Sequence, residues 1–558
     1  MKYDKKTVGQ IVKGVQWSSG IAIMVIGVLL AATLIQIKIH DPVNNQSLSN
    51  LMQRLERDPS NQNLKEDIRA LDLLARKAYF TSAHQLRTGS AILLAALAIF
   101  LIMWKINAAI FSTQAAPPVK KLSWWQLQTR SAKTVAFAGG FFVTAAIFSS
   151  VLLKYTFTSS NSPGQAADYV DESLSQWANF RGPQGIGIAS GDAPVDFDAA
   201  SMEGIRWKVK VPLEGNSSPV VYDDRIFLTG GTKDARQVFC FDVSNGKLLW
   251  SYNVKVGGSE DQPLPKVDRE TGFAAPTVAC DGKRVYAIFA TGELVSLTVK
   301  GKHVWSRFLG APDNHYGHSS SLIAGGGLLF VQLDEYDKGK LLAINGKTGK
   351  TVWEVPRTIL SWGSPILVNT GSRRELILVD NETVTSYDPV SGKLLWSKDC
   401  LYGEVGPSAA FSSGKVFVAN EYAAAAGIDL VNLGDDGLPP VLWEWRGALP
   451  STASPVSIDT LLFLATAGGT LTCIDNRTGT TLWEHEFDQG FYSSPVVAAG
   501  HVFLTDRNGV MHIFTVSDEQ YSHVASREFG EPIVTTPAIL DGYMVVRGEK
   551  FLYRVDGR

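Results

Sequence analysis

One phrase recurs along the last two-thirds of this chain and constrains the fold more than any other feature. A small residue and a proline lead into an apolar strand, a second strand follows, and a glycine turn then delivers a tryptophan. One copy runs from Ser218-Pro219 to Asn245-Gly246-Lys247-Leu248-Leu249-Trp250. Others run from Ser364-Pro365 to Ser391-Gly392-Lys393-Leu394-Leu395-Trp396 and from Ser454-Pro455 to Thr478-Gly479-Thr480-Thr481-Leu482-Trp483. The period, roughly 40–50 residues, is that of a four-stranded propeller blade. Such a unit cannot bury its own apolar face and must stack on copies of itself.

Counting copies predicts an all-β eight-bladed propeller, with seven blades as the fallback. Six copies end in a tryptophan, at Trp250, Trp305, Trp353, Trp396, Trp443 and Trp483. A seventh starts at Ser494-Pro495 and ends near Arg527 without one, and an eighth starts at Thr536-Pro537 with room for three strands. The missing strand is supplied by Ile205-Arg206-Trp207-Lys208-Val209, which has no partner strands before it. Pairing it with the last strands closes the ring and leaves no long exposed edge. These tryptophans, Trp207 included, are expected to be structural, covering the outer part of each blade.

The 558 residues make a single domain improbable. A net charge of −2 gives no basic stripe for nucleic acid. Cys240, Cys280, Cys400 and Cys473 are scattered one to a copy, so isolated buried thiols are expected rather than a metal cluster.

Three apolar runs precede the repeats, at about 18–37, 88–104 and 134–153. Runs of about 20 residues match the ~30 Å hydrocarbon core of a bilayer. The expectation is a membrane region over 1–154 with three transmembrane helices and an outer helical hairpin at 46–87. A linker at 155–176 and the propeller at 177–558 follow. Lys2, Lys5, Lys6 and Lys13, and the basic segment from Lys105 to Lys133, place the N-terminus in the cytoplasm. The propeller then lies on the periplasmic side of a bacterial inner membrane.

The copies resemble the pyrroloquinoline-quinone-like (PQQ-like) propeller repeat. Leu341-Leu342-Ala343-Ile344-Asn345-Gly346-Lys347-Thr348-Gly349-Lys350-Thr351-Val352-Trp353 follows its blade pattern, and Leu471 to Gly479 matches it again. The stretch Trp177-Ala178-Asn179-Phe180-Arg181-Gly182-Pro183-Gln184-Gly185-Ile186-Gly187 is similar to the opening of a subgroup of bacterial propeller proteins. The resemblance implies one of two classes. Quinoprotein dehydrogenases bind the quinone and calcium, use an aspartate base and often carry adjacent cysteines, which are absent here. BamB-like propellers bind proteins through their loops without catalysis. This chain shows no lipobox cysteine, and a helical anchor is expected instead.

The loops leading into the first strand of each blade line the channel mouth. They carry His315, Tyr316 and His318 before the third copy, Trp362 before the fourth, Glu404 before the fifth and Tyr492 before the seventh. Histidines three apart could ligate a metal only with a further ligand, so polar channel lining is the reading favoured. The aromatics could stack on a ligand or peptide, or plug the channel. Asn420 to Asp436 reads as an extended loop of the fifth copy. No catalytic or metal residues are assigned, and no cofactor is expected, PQQ and calcium being the alternative. The expected function is a membrane-anchored binding module for envelope proteins or peptides, touching lipid through its three spans. A quinoprotein oxidoreductase and a small-ligand sensor are the alternatives.

Overall fold

The computed structural model describes residues 176–558 other than 258–266, 269, 315, 337, 359, 435 and 558. It also describes residues 18, 20, 23, 25–27, 97, 100–102, 104 and 105 of the first two apolar runs. The chain divides into two compact units, Met1–Ala166 and Ala167–Arg558. The described residues of the first unit are helical. A Cβ added to Gly20 would lie 3.4 Å from the Phe100 ring, so the first two runs meet there. Among the described residues no helix is long and apolar enough to cross a membrane. The third run, the hairpin at 46–87 and the linker up to residue 175 lie outside the described residues.

The second unit holds eight four-stranded antiparallel sheets. In blade 1 the strands A to D are Val220–Tyr222, Arg225–Gly231, Arg236–Asp242 and Leu248–Asn253. Blades 2 to 7 repeat this order, and their A strands start at Ala279, Ile323, Ile366, Ala410, Val456 and Val496. The eighth sheet combines Ala538–Leu540, Tyr543–Arg547 and Phe551–Val555 with Ile205–Lys210 as its D strand. Trp207 pairs with Arg554, Val209 with Leu552 and Lys210 with Phe551. The ring therefore closes with eight blades, and the two ends of the unit share one sheet.

Strands B and C are buried on both faces, because each blade lies between two others. Ile226, Phe227 and Leu228 are all fully buried, as are Val238, Phe239 and Cys240. This arrangement explains the unbroken apolar runs of the inner strands. Strand D faces outward and alternates, leaving Leu248 and Leu249 exposed. The extended stretch expected at 420–436 is divided. Ala425–Asp429 is strand C of blade 5, and the insertion is the C–D loop at 430–440. All four cysteines are free, and Cys400 is half-buried rather than buried as expected. Burial pushes the thiols of Cys240, Cys400 and Cys473 up to about 12.

Six blade junctions carry the same outer staple. A tryptophan of strand D donates its indole N–H to a carbonyl in or next to the following blade's C–D turn: Trp207 to Val243, Trp250 to Val299, Trp305 to Gly346, Trp353 to Pro389, Trp443 to Asn476 and Trp483 to Ser517, at 2.8–3.1 Å. At five of the six, all but Trp483, a glycine of the turn lies under the ring. At Gly349 (φ +71°) an added Cβ would come within 2.7 Å of Trp305. The glycine thus answers both a left-handed backbone and a steric limit. Blade 4 departs from the pattern. Trp396 donates to the buried carboxylate of Glu375 in its own blade, at 2.7 Å, and faces the blade whose C–D turn is the long insertion. Blade 7 has Ala525 at the tryptophan's position.

The inner wall is more regular. Two residues before each A strand stands a serine or threonine, in order Ser218, Thr277, Ser321, Ser364, Ser408, Ser454, Ser494 and Thr536. The amide of each donates to the hydroxyl of the next, and Thr536 returns to Ser218, at 2.8–3.1 Å throughout. All eight are buried. The amide at a strand start would otherwise lack a partner, and a buried donor left unpaired costs about 1–3 kcal/mol. A closed hydrogen-bonded belt therefore surrounds the axis.

Candidate functional site

Antiparallel order puts the A–B and C–D turns on one face of the ring and the D–A and B–C loops on the other. The first face is closed by residues 176–192, which touch all eight blades. Trp177 pairs with Val221, and Ala178 accepts from Cys280 at 2.8 Å. Asn179 accepts from the Ala324 amide at 3.1 Å, and Gly185 lies against Ile366. Arg181 donates to the carbonyls of Ala409 (3.0 Å), Pro455 and Ile186 (3.1 Å). Gly187 accepts from Val497 at 2.9 Å, and Asp192 from Gly542 at 2.9 Å. Gly182 (φ +74°) permits the coil, since a Cβ there would meet the Trp177 ring at 2.6 Å. Burial without a facing carboxylate pushes Arg181 down to about 9. The plug's charge is instead bound by backbone carbonyls.

The other face is the mouth. There the long loop between Asn253 and Ala279 comes into contact with distant blades. It is pinned at its base by Arg236, whose guanidinium stacks 4.3 Å from the Phe273 ring, and by Glu293, which accepts from the Gly257 amide at 2.9 Å. From that base Glu270 reaches Tyr492, whose hydroxyl donates to it at 3.0 Å. Thr271 donates to the Tyr316 carbonyl at 3.2 Å. The loop thus joins the approach to blade 3 with the approach to blade 7.

The anticipated mouth residues partly come together. Tyr316 packs edge-on against Trp362, with centroids 5.0 Å apart at 86°. The Trp362 amide donates to Val405 at 2.9 Å, which brings Glu404, the preceding residue, to the same rim. Trp362 also carries a buried indole N–H with no partner among the described residues. Tyr492 stands apart and is joined through Glu270, with the Arg507 guanidinium 4.9 Å over its ring. His318 lies beneath the rim, 4% exposed, and burial pushes it down to about 4. His315 lies outside the described residues.

Under the rim between blades 3 and 4 sits a buried ion triad that sequence reading missed. Arg357 binds Asp334 in bidentate fashion, at 2.7 and 3.2 Å, and reaches Asp380 at 3.5 Å. Burial opposes its charge, but the two carboxylates outweigh that effect and its pKa rises. Arg547 is fully buried at the blade 8–1 junction, donating to Ser217 and Thr229 at 2.6–3.0 Å. Glu270 and Thr271 were also missed. Their one sequence signal was the unusual length of the loop after Asn253.

The sequence profile described as outer membrane protein assembly factor BamB matches residues 195–359 and 441–551. The protein of that name from Yersinia pestis is 24% identical over 305 residues, covering 50% of this chain and 74% of the relative. Among solved structures, BamB from Moraxella catarrhalis covers 63% of this chain and 98% of its own at a TM-score of 0.48 and 13% identity. The quinohemoprotein alcohol dehydrogenase from Comamonas testosteroni covers 70% and 83% at a TM-score of 0.51 and 13% identity, a likeness of fold alone. The blade phrase, the closed ring of eight and the profile match lead to one conclusion: this chain belongs to the PQQ-like β-propeller repeat family and is BamB-like within it.

Proposed function

We propose that this chain is a protein-binding scaffold of the bacterial envelope and that its partners engage the loop face at the mouth. The observation that carries this reading is the aromatic rim, where Tyr316 packs on Trp362 and is tied by Thr271 to the loop that Glu270 anchors to Tyr492. Aromatic residues held on loops over a rigid frame suit recognition of a peptide or protein surface. The relatives' name, an assembly factor for outer membrane proteins, supports the same class of activity.

The charged groups of the mouth support a reading without the quinone. A tricarboxylate quinone with its cation needs cationic side chains and carboxylates facing one space. Here Asp334 and Asp380 are committed to Arg357, and Glu270 to Tyr492. Among the described residues, no three His, Cys, Asp or Glu side chains are grouped to hold a metal.

The proposal includes a helical anchor in the inner membrane, with the propeller outside the cytoplasm. It is supported by the three apolar runs and by the exposed apolar side chains Val25, Leu97, Leu101, Ile102 and Trp104. A reporter fused after Arg558 should be active only outside the cytoplasm.

Photo-crosslinking from positions 316, 362 and 492 in living cells tests the mouth. Discrete adducts with an envelope protein are expected there and not from Val524 on the outer rim. Silence at all three positions would overturn the scaffold reading. So would turnover of alcohols or sugars by the chain reconstituted with PQQ, calcium and an artificial electron acceptor.

A further inference from the structure

Three of the nine histidines, His485, His512 and His523, converge on one groove at the outer rim between blades 6 and 7. The groove has a volume of about 630 Å³; it runs from the outer side of the ring to the mouth-face loops at 488–489 and 506–508 and is not lined by Tyr316, Trp362 or Tyr492. It opens where the outer staple changes. Trp483 still donates to Ser517, but the blade 7 turn has no glycine under the ring. Its chain continues to Tyr521, which packs edge-on to Trp483 at 6.2 Å.

One wall is aromatic. The His485 ring stacks on Tyr521 with centroids 3.8 Å apart at 12°. Phe487 meets His485 edge-on at 4.6 Å and lies 4.5 Å from the ring of His512. The charged lining is acidic: Glu486, Asp488 and Asp506, with no lysine or arginine. Asp506 is already held by His512 at 3.1 Å and by the amides of Asn508 and Val510. Glu486 and Asp488 are exposed at the lip, Glu486 accepting from the Thr470 hydroxyl at 3.2 Å on the side of its strand away from Phe487. Burial, and then the nearby His512, lower the pKa of His485, so its ring is neutral near neutral pH and does not offset the acids.

Carboxylates beside aromatic faces, without a competing cation, form the chemistry that recognises a guanidinium or ammonium group. We propose that this groove docks a basic segment of a partner protein. An arginine or lysine side chain enters past Asp488 toward Asp506 and lies along the wall made by Phe487 and Tyr521, with the Glu486 carboxylate adding negative charge from the other side of the strand. The groove shares no residue with the rim positions 316, 362 and 492, so either proposal can fail while the other stands.

The test uses the full chain in detergent and a fluorescein-labelled peptide of alternating arginine and glycine, read by polarisation at low salt. Saturable binding is expected, with none for the same peptide carrying glutamate in place of arginine. Replacing Glu486→Gln and Asp488→Asn together should weaken binding by about tenfold or more. Both changes sit at the exposed lip, where the fold is not at stake. Phe487→Leu keeps an apolar side chain while deleting the π-face and should weaken binding about threefold. The exposed acids Asp399 and Glu444, on blades 4 and 5, supply the control pair D399N/E444Q, which should leave affinity unchanged. Absence of saturable binding would overturn the proposal. So would affinity unaffected by E486Q/D488N, or lost equally in the control pair. Unchanged affinity in F487L would overturn the role of the aromatic wall.

Discussion

The inner belt and the outer staple solve one problem, holding a blade to its neighbour, at two radii. The belt of Ser218, Thr277, Ser321, Ser364, Ser408, Ser454, Ser494 and Thr536 repeats without exception. The tryptophan staple is present at six junctions, absent after blade 7 and diverted to Glu375 in blade 4. The difference teaches where variation is tolerated. Near the axis, eight short strand starts meet in a confined ring, and each buried amide depends on one hydroxyl. At the rim, a lost contact can be replaced by a carboxylate, a longer turn or a different ring. The departures are accordingly on the rim, at the 430–440 insertion and at the acidic groove.

The largest effect is expected where the two ends meet. Trp207 is 7% exposed, on the strand that closes the ring. Trp207→Ala should destabilise the propeller by about 3–5 kcal/mol, as large-to-small changes of buried tryptophan do. Calorimetry would read this as a lower melting temperature, and a change within error would deny the latch its role. Gly349→Ala comes next. It forces a left-handed alanine, costing about 1–2 kcal/mol. It also drives a methyl into Trp305, for about 1–3 kcal/mol more. Its cost should exceed that of Gly437→Ala in the blade 5 insertion, where φ is also positive but nothing lies within 4 Å of an added Cβ. Equal costs would mean that backbone strain alone, and not the staple, fixes the glycine.

Local pattern made most of the frame legible. Repeated Ser-Pro and Gly-Lys-x-x-Trp phrases located the blades, and a lone Trp-bearing strand at 205–209 pointed to closure with the last strands. Contacts between copies were not legible. Nothing at Ser454 shows that its hydroxyl serves the amide of Ser408, 46 positions earlier. The Glu270–Tyr492 bridge joins loops 222 positions apart, with no periodicity to announce it. Trp396 reads like its equivalents, because its different partner depends on Glu375 and on a neighbouring turn that is too long. Tyr316 and Trp362 were both singled out by position, yet their contact depends on how two blades splay. His485, His512 and His523 form no motif, since three different strands bring them to the groove.

His318 tests the mouth side of the inner wall through pH. Its folded pKa of about 4 lies below the ordinary value of 6.5. Between those values the unfolded chain takes up a proton that the folded chain refuses. Stability should therefore fall as pH drops from about 6.5 to 4, by about 3 kcal/mol for this one group. Denaturant titrations at several pH values should show His318→Gln flattening that part of the curve. An unaltered slope would mean that other groups carry it.

The smallest effect should come from the belt itself. Ser454→Ala removes the acceptor of the Ser408 amide, found at 2.9 Å, without opening a large cavity. The cost is the orphaned donor, about 1–3 kcal/mol. Ser454→Thr should cost much less, because threonine already serves at 277 and 536. If Ser454→Ala were as mild as Ser454→Thr, the belt would be a consequence of the packing and not one of its causes. The uniformity of the inner wall would then rest on the size of the residue rather than on its hydroxyl. A graded series at 454 of threonine, alanine and glycine, read as chemical denaturation midpoints at one pH, separates those two explanations directly.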